Sequence, residues 1–361
     1  MERRGGGLRF SIILITIVIL LFLSRIVNIL TDFWWFESLD FSKIFIISLQ
    51  AKIMLFIAVV LFFFAFISAN LWVSGKLSGS KLPFRLKAGA AAVAAIIAGL
   101  AGYQFWFVFL QYMNQVGFGI SDPIFMKDVS FYVFSIPFYL AVWSLLLWCV
   151  IMTILLVAID YFQSSLTGLL KQQQKEAGPR SPLDDVPKVS IKNFMPKAKN
   201  KAFGHLAVLG AVFFGLLAFR HWLSRYSIMY SEQGIVVGAG YTDVVAVLPA
   251  IKIMMVLAMV ISALFIVWVL YISKHREVRK KHIILYAIGA YVLVFIVGMA
   301  FIPGLVQSLM VSPNEMNLEK PYINHNINFT RIAYNLDSIE EKEFNVERGL
   351  NAEKLSNASE S

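Results

Sequence analysis

Seven stretches of the chain are nearly free of charge, and the charged residues gather between them. They run from about Phe10 to Leu30, Ile44 to Val73, Ala88 to Tyr112, Phe131 to Ala158, Ala202 to Trp222, Val247 to Ser273 and Ile283 to Gln307. Roughly 20 apolar residues at a rise of ~1.5 Å each span the hydrocarbon of a bilayer. Lipid offers no hydrogen bonds, so such segments must satisfy their backbones internally, as helices. The pattern predicts an all-α polytopic membrane protein with seven transmembrane helices over residues 1–307. A short, mainly helical tail over residues 308–361 follows.

Composition agrees. Of 361 residues, 58% are hydrophobic and only 15% are charged, against roughly 25% charged in soluble proteins. This excludes an ordinary soluble enzyme, a coiled coil and a disordered chain. The first stretch begins on basic residues, as a signal peptide does, but its apolar run exceeds the roughly 7–15 residues of a signal core and no small-x-small cleavage site follows. The aromatic cluster Phe33-Trp34-Trp35-Phe36 comes next and suits a headgroup region. We read a retained helix.

Basic residues set the orientation. With the N-terminus inside, the cytoplasmic segments hold three (Arg3, Arg4, Arg9), four (Lys76, Lys81, Arg85, Lys87), eight (Lys171 to Lys201) and five (Lys274 to Lys281), twenty in all. The short outer loops hold only Lys43, Lys127 and Arg225. The bias predicts N-in/C-out. Seven-helix receptors and retinal proteins have the opposite orientation, and the last span lacks the lysine a retinal Schiff base needs. The net charge of +10 is therefore an orientation signal and no evidence for nucleic acid as a partner.

The longest inner loop, Asp160 to Lys201, is polar and proline-punctuated and reads as a linker near anionic lipid. The outer loops carry turn chemistry, Gly117 to Pro123 and the glycine-rich Gly234 to Tyr241, and fold over the helix ends. From Val311 onward there are nine acidic residues against five basic ones. Pro321 suits a first helical turn, and Ile323, Ile327, Thr330 and Tyr334 then share one helix face. So few apolar residues cannot build a core alone, so the tail docks on something or opens something larger.

Four motifs carry a family resemblance: Phe33-Trp34-Trp35-Phe36-Glu37-Ser38-Leu39; Asp122-Pro123-Ile124-Phe125 with Lys127-Asp128-Val129-Ser130-Phe131-Tyr132; Gly238-Ala239-Gly240-Tyr241-Thr242-Asp243; and Glu319-Lys320-Pro321-Tyr322-Ile323 with Asn326-Ile327, Thr330-Arg331 and Ala333-Tyr334. In this order they resemble the prokaryotic membrane family UPF0182, over nearly the whole chain to about Leu336. The resemblance implies a multi-spanning plasma-membrane protein with about seven N-terminal helices and a large extracytoplasmic region. It implies no activity, substrate or catalytic residue. Family members usually continue for several hundred residues past the point where this sequence stops. Under the predicted topology all four motifs fall on the outer side.

Chemistry is sparse. Cys149 lies mid-span as a packing residue, and His205, His221, His275, His282 and His325 lack ligand spacing. No metalloprotease motif, phosphate-binding glycine loop or nucleophile elbow occurs. Within the seven spans there is no Asp or Glu, as a proton pump would place there; Asp160 sits only at the inner end of the fourth, just past Ala158. We expect no enzyme, cofactor or metal.

The four in-span cations, Arg25, Lys52, Arg220 and Lys252, share the outer half of the bilayer on four helices. Independent snorkelling or pairing with outer carboxylates such as Asp32, Glu37, Asp122 or Asp243 explains them, or convergence on an outer-leaflet cavity holding an anionic group such as a lipid phosphate. Asp243 and Arg331 form a candidate pair docking the tail on the outer loops. The function expected is to anchor and organise an extracytoplasmic region in envelope or lipid-related assembly, with lipid and other envelope proteins as partners. The alternative is a transporter or channel for an anionic or lipidic substrate, which a helix broken within a span, as at Pro303-Gly304, would favour.

Overall fold

The computed structural model describes residue 16 and residues 23–80, 82–176, 199–275 and 281–339. Among these the chain is helical, and the only β-pairing is an isolated antiparallel bridge between Ser121 and Asp128. Six helical runs are long and apolar enough to cross a membrane: Ser42–Ser78, Phe84–Met113, Phe131–Gly168, Lys201–Tyr230, Asp243–Tyr271 and Ile283–Ala333. They match the second to seventh stretches of the sequence. Of the first stretch, residues 10–22 other than Thr16 lie outside the described residues, and its remainder is helical.

That helix, α1 (23–38), ends in a left-handed Asp40 with φ of 62°. Phe41 N–H donates to Phe36 O at 2.8 Å and Asp40 N–H to Glu37 O at 3.0 Å, which satisfies the last carbonyls of the helix. The chain reverses at once into α2 (Ser42–Ser78), and Phe33 and Phe36 pack against Phe45 at 5.7 and 5.6 Å between ring centroids. Helix α2 closes on Gly79, left-handed at φ 65°. Helix α3 (Phe84–Gly102) passes through one 3-10 turn into α4 (Trp106–Met113). The remaining helices are α5 (Ile136–Glu176), α6 (Lys199–Ser224), α7 (Leu248–His275), α8 (Lys281–Phe295), α9 (Ile302–Val306) and α10 (Glu315–Ala333). Widened π-helical turns lie at Phe131–Ser135, Asp243–Val247, Ile296–Phe301 and Gln307–Val311.

Helix α2 packs on α3 and α5, α6 lies against both α5 and α7, and α8 lies on α7. The main core follows helical spacing. Val59, Phe63, Ile67 and Leu71 on α2 meet Ala91, Ala94 and Ala95 on α3, with Cys149, Val157 and Tyr161 of α5 and Leu209 of α6. Small residues let α2 and α3 approach closely, a common solution where lipid removes the hydrophobic drive for helix association. A Cβ on Gly99 would lie 2.5 Å from Val60 Cγ2, and one on Gly102 2.8 Å from Val59 Cγ2. Outside this core the helices turn large apolar side chains outward, among them Leu61, Trp148, Leu270 and Leu285. An apolar surface of that extent calls for lipid or a partner, not water.

Three segments differ from the sequence reading. Helix α5 runs past Ala158 to Glu176, because the Gln-, Leu- and Lys-rich residues 166–175 favour helix despite Gly168 and contain no proline; Asp160 is thus inside a helix and not at the start of a loop. The last helical run does not stop at Gln307 but continues to Ala333, since the π turns absorb the Pro303 region while keeping the backbone bonded. Pro321 sits inside α10 instead of in its first turn; Pro313 occupies the first turn of the preceding 3-10 segment Ser312–Asn314.

Gly99→Val should lower the unfolding midpoint in detergent, with overpacking costing about 1–3 kcal/mol. Gly89, which has open space around it, should tolerate alanine with no loss. Equal behaviour of the two variants would contradict the α2–α3 contact.

Candidate functional site

At the end of the bundle where α2 finishes and α3 begins, Asp160 of α5 is 3% exposed and Lys87 of α3 is 7% exposed. Their ion pair is 2.8 Å long. The same carboxylate accepts the hydroxyls of Ser74 at 2.6 Å and Ser80 at 2.9 Å. Three helices and one loop are thus tied by one acid. Gly75 makes the approach possible, since a Cβ there would lie 2.8 Å from Lys87 Nζ. One turn back along α2, Asn70 donates to Phe66 O at 2.8 Å, which leaves its Oδ1 as acceptor for His205 Nε2 at 3.0 Å. His205 Nδ1 then accepts from the Tyr161 hydroxyl at 3.0 Å. Pairing and hydrogen bonding are what make buried charge tolerable.

At the opposite end, the loop between α4 and α5 is built on two carboxylates. Asp122, 2% exposed, accepts Ile124 N–H, Phe125 N–H and Lys127 N–H at 2.9, 2.6 and 2.8 Å and the Tyr132 hydroxyl at 2.8 Å. That saturates a carboxylate. Asp128 accepts Phe118 N–H, Gly119 N–H and Ser130 N–H at 3.1, 2.8 and 2.8 Å. The Ser130 hydroxyl and backbone N–H, then the backbone N–H groups of Phe118 and Gly119, hold its carboxyl down at about 2, below the usual 3.8. Above this loop Tyr226, fully buried, is ringed by Phe125, Phe131 and Trp222 at 5.0, 5.0 and 5.5 Å.

The glycine-rich loop and α10 meet beside it. Glu319, 3% exposed, receives Tyr241 N–H on both oxygens at 3.2 Å. Asp243, equally buried, accepts Gly240 N–H at 3.0 Å. Gly240 lets Glu319 come close, since a Cβ there would stand 3.1 Å from its Oε2 and push the carboxylate back by a few tenths of an ångström. Asn326 donates to Val237 O at 3.0 Å, and the Thr242 hydroxyl donates to Gln307 Oε1. These negative groups sit at the N-terminal end of the α7 run, where exposed N–H groups favour them. A cavity of 170 Å³ joins Pro123 and Ile124 of the first loop to Gly238 of the second and to Tyr322 and His325 of α10. Three of the four resemblance motifs, far apart in sequence, therefore converge.

The sequence-predicted residues have separate surroundings. Lys52 lies over the Trp106 ring at 4.7 Å. Arg220 lies over Trp143 at 5.4 Å and donates to the Ser224 hydroxyl at 2.7 Å. Arg25 and Lys252 are exposed on their helix surfaces. Asp243 is engaged by its own loop, and the tail carboxylate that reaches that loop is Glu319. Sequence reasoning passed over Lys87 and Glu319 as partners. Their one signal was position: Lys87 is the last charge before an apolar run, and Glu319 opens the last motif. Among the described residues no three His, Cys, Asp or Glu side chains group to hold a metal.

The architecture defines a helical protein whose spans are compatible with a membrane. The chain matches the model of the Uncharacterised protein family (UPF0182) over residues 9–361 and belongs to that family. It is 33% identical over 349 residues to a UPF0182 protein of Methanospirillum hungatei, covering 94% of this chain and 37% of the relative. Against UPF0182 proteins of Cupriavidus necator and Trichodesmium erythraeum the identities are 31% and 30%, covering 93% and 96% of this chain and 36% and 37% of theirs. The chain thus spans little more than a third of the length of these relatives. No solved structure matches it.

Removing one member of the Lys87–Asp160 pair, as in Lys87→Met or Asp160→Leu, should destabilise by about 3–5 kcal/mol, and the double replacement by much less. A thermal-unfolding cycle in detergent measures this; additive losses would deny the coupling. Asp128, its carboxyl depressed from 3.8 to about 2, stabilises the loop fully above the unfolded value and loses its effect as pH falls through the folded one. Amide protection at Phe118, Gly119 and Ser130, corrected for intrinsic exchange, should fall between pH 4 and pH 2 and lose this dependence in Asp128→Asn.

Proposed function

We propose that the chain is the membrane-embedded part of a plasma-membrane protein, with seven transmembrane helices, N-terminus cytoplasmic and C-terminus extracytoplasmic. In this reading the bundle holds and orients an extracytoplasmic region in envelope or lipid-related assembly, without catalysing a reaction. The observation that carries it is the buried Glu319 carboxylate on Tyr241 N–H, with Asn326 on Val237. The helix that follows the last apolar run is fixed to the bundle's own loops, so anything attached beyond it starts from a set position and direction. The positive-residue bias supports the orientation. Transport is less favoured because the last run, though widened by π turns around Ile302–Val306, stays helical and offers no unwound segment of the kind transporters use.

Single cysteines in a Cys149→Ala background test the topology. Val116→Cys and Met316→Cys, both at exposed positions, should react with an impermeant maleimide in intact cells. Thr167→Cys should react only after permeabilisation. The reverse pattern refutes the orientation. Glu319→Ala should expose residues near Asn335 to protease while leaving the chain in the membrane fraction, and unchanged cleavage would refute the docking role. Losing a charge-assisted hydrogen bond of this kind costs about 1.5–3 kcal/mol.

A further inference from the structure

The Lys87–Asp160 pair is flanked by two cavities that the proposed function does not use. One, of 190 Å³, is the more polar: Lys76, Lys87 and Ser80 line it together with Leu71, Trp72, Leu82 and Phe84, and none of its described lining residues is acidic. The other, of 170 Å³, is apolar except at the ion pair and Gln163, with Leu71, Leu82, Leu86, Leu156 and Ile159 in its wall. Leu71, Leu82 and Lys87 border both, so the two cavities adjoin. Leu86 and Ile159 are 65% and 52% exposed, so the apolar one opens sideways between α3 and α5. Lys76 Nζ sits 3.6 Å from the Trp72 ring centroid, which holds a second ammonium beside the polar cavity.

The shape is that of an amphiphile: a compartment bordered by two ammonium groups and a hydroxyl, beside a greasy slot that opens to the side. Lys87 is neutralised in part by Asp160, yet an ammonium has three donors and Asp160 takes one of them. Among the described residues no carboxylate pairs with Lys76, and Arg85 is exposed on the adjoining turn. We propose that this corner binds one glycerophospholipid with an anionic headgroup, its phosphate on Lys76 and Lys87 and the start of one acyl chain along Leu82, Leu86 and Ile159. The site is distinct from the four in-span cations and, with the predicted orientation, faces the inner leaflet.

This inference rests on the membrane reading but not on the docking role of Glu319. The full chain, delipidated in mild detergent, is titrated with phosphatidylglycerol or phosphatidylcholine, and bound lipid is counted by native mass spectrometry. Phosphatidylglycerol should be held in preference. Lys76→Gln should weaken it roughly fivefold, the effect of one basic residue near a lipid surface, and Lys76→Arg should restore it. Leu82→Trp, which fills the shared wall, should also weaken it. Both positions are open to the surroundings, so folding is preserved, and an unchanged unfolding midpoint verifies this. Millimolar inorganic phosphate should leave the lipid bound. Equal binding of the two lipids, or unchanged phosphatidylglycerol binding in both Lys76→Gln and Leu82→Trp, overturns the site. Displacement by inorganic phosphate with Leu82→Trp indifferent assigns it to a free anion and overturns the lipid. A chain found outside the membrane fraction would instead refute the membrane reading.

Discussion

A carboxylate buried among apolar helices must find its donors inside the protein, and Asp160 finds them on three separate segments. Lys87 reaches it from α3, Ser74 from α2 and Ser80 from the loop between. Because each donor belongs to a different piece of chain, the acid fixes how α2, α3 and α5 stand at that end. The core above it then needs only shape: a leucine and phenylalanine ridge on α2 against alanines on α3. Glycines at 99 and 102 let the backbones close. Without the polar clamp, alanine and glycine contacts would specify distance but hardly register.

The two ends of the bundle use the same kind of group differently. At the Asp160 end the donors are side chains, so the acid ties helices together. At the other end the donors are mainly backbone N–H groups, received by Asp122, Asp128, Asp243 and Glu319. There the acids shape loops and cap helix starts. Side-chain donors can be lost one at a time by substitution, whereas backbone donors cannot, so the loops at this end are defined by the position of their acids and by the glycines that let them approach.

Much of the fold was legible in the sequence for a simple reason: hydropathy is a property of each segment alone. Six of the seven stretches appear as helical runs in nearly the expected places. What was not legible depends on partners. Lys87 counted as one of four loop cations marking the cytoplasmic side, since nothing within ten residues of it announces Asp160, 73 positions away. Glu319 looked like one acid in an acidic tail until the chain brought Tyr241 beneath it, 78 positions away. The helix ends were misjudged for a related reason. Where apolarity stops is not where a helix stops, as α5 shows by continuing through polar residues to Glu176. Pro321 was misplaced because a proline is read against the nearest plausible start, and here Pro313 lay closer to the real one.

The π-helical turns sharpen the contrast between the ends. Phe131–Ser135 leads into α5, Asp243–Val247 into α7, and Ile296–Phe301 and Gln307–Val311 bracket α9. The first two lie where the motif loops join their helices, and the last two lie just before α10. Each turn shifts the following side chains around the helix axis without breaking the backbone ladder. Thr242 and Gln307, which share a hydrogen bond, stand at the edges of two such turns, and Tyr132, a donor to Asp122, lies inside another. A regular α-helix of these sequences would point the same side chains elsewhere. The loop end is therefore built by departures from ideal geometry, with Asp122 bound to one of these turns through Tyr132 and Asp243 opening another. The Asp160 end reaches its arrangement with regular helices and one well-partnered charge.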